Sequence, residues 1–318
     1  MAQAREKIAA QAKKKKAAPT RRQRTKKPRR VGVVVRPDAP EVERRAAKVA
    51  QWLAKRGIEV LAPKDWLEPP AGVRVLERSE MVRRADLIIV LGGDGSLLGI
   101  ARLTGAVAVP VVGIHHGDFG FLTESDEGNL TATLTAILAG HYAIARRSML
   151  AVTVKRKTRE LLRSQALNDA VVHQGKLSRM LALDVHVDGE FLAAYKGDGI
   201  VVATPTGSTA YSLSAGGPVV APEMSSIILT PISPHTLSVR PLVLPDSSRL
   251  RIVVQADGND AVLTLDGQEW LELDGGDEIE VTKSRHHAEI LKVDGKTFFE
   301  TLRSKLHWGA RGEKQRRR

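Results

Sequence analysis

The sequence predicts an α/β N-terminal domain with a parallel sheet, followed by a β-rich C-terminal domain. Over residues 31–125 apolar strands alternate with amphipathic helices, the pattern of a parallel sheet flanked by helices. Beyond that point the rhythm changes to short β-rich runs separated by Asp-Gly and Gly-Gly turns. At 318 residues the chain is long enough to bury two cores.

Residues 1–30 read as a basic tail without a recurrent apolar face, expected to be disordered and dispensable for catalysis. Val31–Val35 is a buried strand, ended by the prolines at 37 and 40. Val42, Ala46, Val49, Ala50 and Leu53 then share one face of a helix, with Gly57 as its stop. Ile58–Leu61 is a second strand. Ala85–Leu91 is a third, running straight into Gly92-Gly93-Asp94-Gly95, after which Ser96 is placed to cap a helix through Leu97, Leu98, Ile100 and Leu103. Val109–Ile114 closes the set.

The second domain, residues 126–294, opens on a helix at Leu130–Leu138. It continues through strands at Leu150–Val154, Leu181–Val187, Phe191–Tyr195, Ile200–Ala203, Ile227–Thr230, Leu250–Val254, Ala261–Leu265 and Glu278–Val281. Over residues 295–310, Phe298, Phe299, Leu302 and Leu306 recur at helical spacing and predict a final helix packed back on the core. Residues 311–318 are a second basic tail.

The formal charge of +13 is concentrated at the ends: residues 1–30 carry +12 and residues 311–318 carry +4, which leaves the body at −3. A body of that sign argues against specific nucleic-acid binding and leaves the tails only weak attraction for polyanions. With no cysteine, disulfides, thiolate metal ligands and a cysteine nucleophile are excluded. No apolar run reaches membrane-spanning length and no signal-peptide segment stands at the N-terminus, so the expectation is a cytoplasmic protein without a membrane partner.

The first candidate for chemistry is Gly92-Gly93-Asp94-Gly95. Its glycines let the backbone approach a ligand closely, and the helix start after it presents free N–H groups to phosphate oxygens. A carboxylate there repels phosphate, so Asp94 is offset by a cation, occupies a turn position, or acts as a base toward a hydroxyl. Its place at the carboxyl end of a strand is where open α/β sheets bind ligands. Other nucleotide motifs fail: Gly295-Lys296-Thr297 lacks the glycine of a phosphate-binding loop, Ile290 standing in its place, and no His-Arg-Asp kinase segment is present.

The second candidate runs from Thr204 to Gly217. Hydroxyls at Thr206, Ser208, Thr209, Ser212 and Ser214 surround a glycine turn, and Tyr211 adds an aromatic face. Just upstream, Lys196 and Asp198 set a cation and a carboxylate beside the same strand, a pair suited to a substrate with phosphates and a polar amide. His235 is read as shaping the site by hydrogen bonding, His286 and His287 as surface residues, and Trp270 and Trp308 as packing or interface anchors.

Taken together these segments resemble the NAD kinase family. The resemblance rests on the Gly-Gly-Asp-Gly loop, Gly113–Thr123, Ala166-Leu167-Asn168-Asp169, Arg179-Met180, Asp198-Gly199, Thr204–Pro218, Thr230–Thr236 and Asp266-Gly267-Gln268, in that order along the chain. It implies a dinucleotide, NAD⁺, held mainly between the two domains and phosphorylated on the 2′-hydroxyl of its adenosine ribose, with Asp94 as general base. By the same resemblance Gly92, Gly93, Gly95, Ser96 and His115 stand at the ligand and Phe121 stacks on a ring. Asn168 and Asp169 hold ribose, Asp198 faces the nicotinamide, and Lys196 and Arg179 lie near phosphates. Thr206, Thr209, Ala210, Tyr211, Ser212 and Ser214 surround adenosine, with Gln268 as a further contact.

The resemblance also implies ATP as donor, with polyphosphate accepted by some members, Mg²⁺ or another divalent metal, and a homodimer or homotetramer. Ser96 replaces the usual Thr, Asp169 the common Glu, and His115-His116 a pair that is Asn and a polar residue in many members. The glycine loop alone is also similar to that of lipid and sugar kinases, and a non-catalytic dinucleotide- or polyanion-binding protein is the alternative from another class. On this reading Asp94→Asn loses turnover and keeps NAD⁺ binding largely intact.

Overall fold

The computed structural model describes residues 27–36, 40–115, 120–125, 130–175, 180–236, 238–255, 261–293 and 296–309. The N-terminal unit contains β1 (Arg30–Val35), α1 (Pro40–Ala54), β2 (Glu59–Pro63), β3 (Arg74–Leu76), α2 (Arg78–Arg84), β4 (Leu87–Leu91), α3 (Asp94–Thr104), β5 (Val111–His115), β6 (Glu124–Ser125) and α4 (Leu130–Leu138). Strands β3-β2-β1-β4-β5 lie side by side and all pair in parallel. Their continuous apolar runs are explained by helices on both faces: β1, β4 and β5 bury one set of side chains against Ala46, Val49 and Leu53 of α1 and the other against Leu97 and Ile100 of α3. Ahead of Val31, the amide groups of Arg29 and Arg30 both donate to the Asp86 carboxylate.

The C-terminal unit adds β7 (Ala143–Arg156), β8 (Arg159–Ala166), β9 (Asp169–Gln174), β10 (Leu181–Val187), β11 (Glu190–Gly197), β12 (Gly199–Ala203), α5 (Tyr211–Ser214), β13 (Ser226–Ile232), β14 (Leu242–Pro245), β15 (Leu250–Val254), β16 (Ala261–Leu265), β17 (Glu269–Leu273), β18 (Glu278–Lys292) and α6 (Phe298–Leu306). Six of these form an antiparallel sheet in the order β14-β13-β12-β9-β16-β17. Its inner face, including Val172, Ile200, Val202, Leu229 and Leu263, meets Val152, Val154, Leu183, Val185, Ile252 and Val281 of the other strands in one sandwich core.

The two units share a sheet. β18 pairs with β15 and β7 along most of its length, and at Ile290 it pairs in parallel with Val111 of β5. The larger sheet therefore runs unbroken from β11 to β3. Two sequence expectations change. The strands expected at Leu150–Val154 and Glu278–Val281 are the second half of β7 and the start of β18, two longer strands that pair through a register shift between Lys283 and His287. The helix after the glycine loop starts at Asp94 with Gly93 as its cap, so Ser96 lies inside the first turn and caps nothing. Thr297 caps α6 in a reciprocal box with Glu300.

β12 is buried on both faces. Its outer face is covered by the segment after it, where Val171, Val201, Ala203, Val220 and Ile228 form a second small core. That packing seats the Thr204–Gly217 stretch on the outside of the sheet.

A candidate phosphoryl-transfer site

At the carboxyl end of β4 the chain turns through Gly92 and Gly93 into α3. No side chain caps this helix, so its first N–H groups are left for a ligand. The Asp94 carboxylate turns back to the segment after β5: Oδ2 accepts from the amide of Phe121 at 2.9 Å, and Oδ1 from those of Leu122 at 3.2 Å and Thr123 at 3.1 Å. Such an approach needs Gly120, since a Cβ built there would lie 2.0 Å from Asp94 Oδ1. Gly120 is held in turn by its amide donating to Thr123 Oγ1 at 2.9 Å. His115, at the end of β5, lies beside Gly93, and its buried Nδ1 has no hydrogen-bond partner among the described residues. Ser96 Oγ fills the space next to Gly92.

The second part of the site is the corner between β8 and β9. Asp266, at the β16–β17 turn, accepts from the amides of Leu167, Asn168 and Asp169 at 2.8, 2.7 and 3.1 Å. On the opposite side Thr204 donates its hydroxyl to Leu167 O at 2.6 Å and its amide to Asn168 O at 2.8 Å. Gly207 packs directly on the Asn168 peptide. Asp169 is buried, and no described residue hydrogen bonds its carboxylate; burial first, and the Asp266 charge second, push it up to about 7. Burial also raises Asp266, opposed by the three amides and by Arg102. With three N–H donors, Asp266 is the member of the pair that carries the charge.

The Thr204–Gly217 hydroxyls divide by partner. Ser208 bridges Pro205 O and both backbone groups of Val220, and Ser212 bonds Thr230. Both are fully buried and hold the loop together. Thr209 donates to Thr206 O at 3.3 Å, while the buried Thr206 hydroxyl has no partner. Ala210 is partly buried, and Tyr211 and Ser214 are exposed. Beyond the end of β11, Asp198 accepts from Gln174 Nε2 at 2.8 Å, and the amide of His235 donates to Lys196 O at 2.9 Å, which ties the Pro234-His235 turn to the strand. Arg179, with His116 and Asp118, lies outside the described residues.

The two parts meet through the β16–β17 turn. Arg102 of α3 donates to Leu265 O at 3.4 Å and pairs with Glu269 at 2.7 Å, and Gln268 Oε1 lies against Gly99 of the same helix. The helix that begins at Asp94 therefore touches the turn that holds Asn168 and Asp169.

Two family models match the chain, the ATP-NAD kinase N-terminal domain over residues 31–142 and the ATP-NAD kinase C-terminal domain over residues 167–293. The NAD kinase of Moorella thermoacetica is 43% identical over 284 residues, covering 88% of this chain and 90% of that one. That of Syntrophotalea carbinolica is 39% identical, covering 89% and 100%. The chain belongs to the NAD kinase family. NAD kinase activity follows from that membership, and the lipid- or sugar-kinase and non-catalytic readings of the glycine loop fall away. Among solved structures, yeast NADH kinase complexed with NADH superposes with a TM-score of 0.81 at 30% identity, covering 90% of each chain. An NAD kinase from Archaeoglobus fulgidus in complex with ATP gives 0.69 at 26% identity, covering 87% and 98%.

Sequence reasoning missed how these residues are held. Asp266 stood within a recognised motif without a role, and Arg102 and Thr204 carried none. An Asp followed by Gly in a hairpin turn suggests turn chemistry first, and only the fold reveals the three amides it faces.

Proposed function

We propose that the chain transfers the terminal phosphoryl group of ATP to the 2′-hydroxyl of the adenosine ribose of NAD⁺, with Asp94 receiving the hydroxyl proton. The observation that carries this reading is the Asp94 carboxylate, fixed at the uncapped start of α3 by three backbone amides. Two carboxylate oxygens offer about four acceptor directions, so one is left for a ribose hydroxyl. As the hydroxyl oxygen bonds to phosphorus, the bond to the ADP oxygen breaks and ADP leaves. The N–H groups at the start of α3 face the charge that gathers on the transferred group.

Among the described residues no cluster of three His, Asp or Glu is arranged to hold a metal ion. Mg²⁺, where it is used, binds chiefly through nucleotide phosphates and water with one or two carboxylates. Bound there, Mg²⁺ would supply neutralisation of phosphate charge. Phe121, Asn168, Asp169, Thr206, Thr209, Ala210, Tyr211, Ser214 and Gln268 form the dinucleotide side of the site, with Asp198 toward the nicotinamide end and Lys196 near the phosphates.

Support for ATP and a pyridine dinucleotide comes from the relatives bound to ATP and to NADH. A coupled assay of the purified protein with NAD⁺ or NADH against ATP or polyphosphate, with Mg²⁺, tests reaction and substrates together. NADP⁺ formation with ATP is expected; no phosphorylated dinucleotide from any pairing would overturn the reading. We read the enzyme as cytoplasmic, in keeping with its lack of cysteine and with the absence, among the described residues, of a helix long and apolar enough to cross a membrane. A homodimer or homotetramer is supported by Phe191 and Leu192, exposed on the sheet-edge strand β11, and light scattering reports the copy number.

A further inference from the structure

We propose that Asp266 is a positioning residue for dinucleotide binding, acting through the backbone of Leu167–Asp169 to set where the side chains of Asn168 and Asp169 stand. The inference rests on the proposed placement of the dinucleotide at those two residues.

The amides at 167, 168 and 169 face one carboxylate, and the carbonyls of Leu167 and Asn168 face Thr204 on the other side. The corner is clamped on both sides, and its side chains are aimed by the clamp. Asp266 itself is fixed. Its backbone is left-handed at φ 52°, its amide donates to Asp169 O at 3.0 Å, and its turn is tied to α3 through Arg102 and Glu269, the latter also accepting from Ser164 at 2.7 Å. Replacing the carboxylate by an amide leaves one oxygen to accept from Asn168 and Asp169 but sets an N–H donor against the buried amide of Leu167, and loosens the corner from the helix that carries Asp94.

The same carboxylate also acts through its charge. Asp169 holds a proton up to about 7 because it is buried beside Asp266. Among the described residues the other charged groups facing the pair are Arg102 from α3, which opposes the rise at Asp266, and Glu269 from β17, which Arg102 holds. Ribose hydroxyls donate to a carboxylate better than to an acid, so NAD⁺ affinity should rise with pH through about 7. Removing the Asp266 charge lowers the proton affinity of Asp169 and moves that limb to lower pH.

Asp266→Asn is therefore expected to raise the KM for NAD⁺ about tenfold with kcat changed much less, a loss in keeping with one buried amide left facing a donor. Its kcat/KM limb should move to lower pH. Asp169→Asn, which removes no backbone bond, should weaken NAD⁺ at pH 8 and abolish the limb. If Asp169→Asn binds NAD⁺ like the unmodified protein at pH 8, the placement of the dinucleotide fails. If that variant behaves as expected while folded Asp266→Asn keeps its KM and limb, or loses affinity equally at every pH, the Asp266 inference fails alone. Should Asp266→Asn not fold, amide exchange in the unmodified protein decides. Protection at 167–169 that falls as the pair takes up protons supports the clamp; protection independent of pH, after correction for intrinsic rates, overturns it.

Discussion

Asp94→Asn is expected to lower kcat by about 10²–10⁴-fold, the usual range for loss of a positioned base, and to raise the KM for NAD⁺ as well. An amide keeps the size of the carboxylate but turns one oxygen into an N–H donor. Both Asp94 oxygens accept from backbone amides, Oδ2 from Phe121 and Oδ1 from Leu122 and Thr123, so whichever way the new side chain is turned a donor meets a donor. The segment that carries Phe121 must shift, and Phe121 stands among the residues proposed to contact the dinucleotide. From sequence alone the variant was expected to keep NAD⁺ binding largely intact; the three bonds change that expectation. Steady-state kinetics with each substrate varied in turn measure both effects. A near-normal kcat would remove Asp94 from the role of base, whereas a lost kcat with an unchanged KM for NAD⁺ would show that the Phe121 segment keeps its place without the carboxylate.

How much of this was legible in the sequence depended on the reach of each interaction. Strands β1, β4 and β5 are buried on both faces, so they stand out as unbroken apolar runs, and the glycine loop at the end of β4 was found with them. β7 was recognised only in its second half and β18 only at its start, because the rest mixes apolar side chains with Arg146 and Arg147 in one strand and with Lys283, Arg285 and Glu289 in the other. β8, with two arginines and a glutamate in eight residues, gave no alternating apolar pattern. The shared sheet was invisible for a different reason: the pairing of Ile290 with Val111 joins residues far apart in the chain, and no local pattern encodes it. The site followed the same rule. Residue types at 94, 168, 206 and 211 pointed to the chemistry, but local pattern did not separate hydroxyls spent inside the loop, Ser208 and Ser212, from that of Thr206, which has no partner. Nor did it bring Asp94 to amides 27–29 residues downstream.

Gly207→Ala is expected to reduce kcat/KM for NAD⁺ by about 10²-fold, the scale of a 1 Å misplacement in a site, while costing only about 1–3 kcal/mol of stability, as overpacking usually does. The argument is steric. A Cβ at this position would lie 2.1 Å from Asn168 O, 2.5 Å from its carbonyl carbon and 2.7 Å from its Cα. All three are backbone atoms that cannot rotate away, so the loop or the corner must move. The corner is held by Asp266 on its far side and the loop by Thr204 and Ser208, which means the displacement falls on the hydrogen bonds that aim Asn168 and Asp169. Gly189→Ala supplies the comparison. Gly189 sits in the β10–β11 turn at φ 91° with nothing within 4 Å of a built Cβ, so alanine there costs stability through backbone strain and leaves the site alone. Thermal melting should show both variants destabilised by similar amounts, and kinetics should separate them, with Gly189→Ala retaining the KM for NAD⁺. Equal kinetics in the two variants would mean that the Asn168 corner accommodates the extra methyl, and that its close contact with Gly207 does not position the dinucleotide.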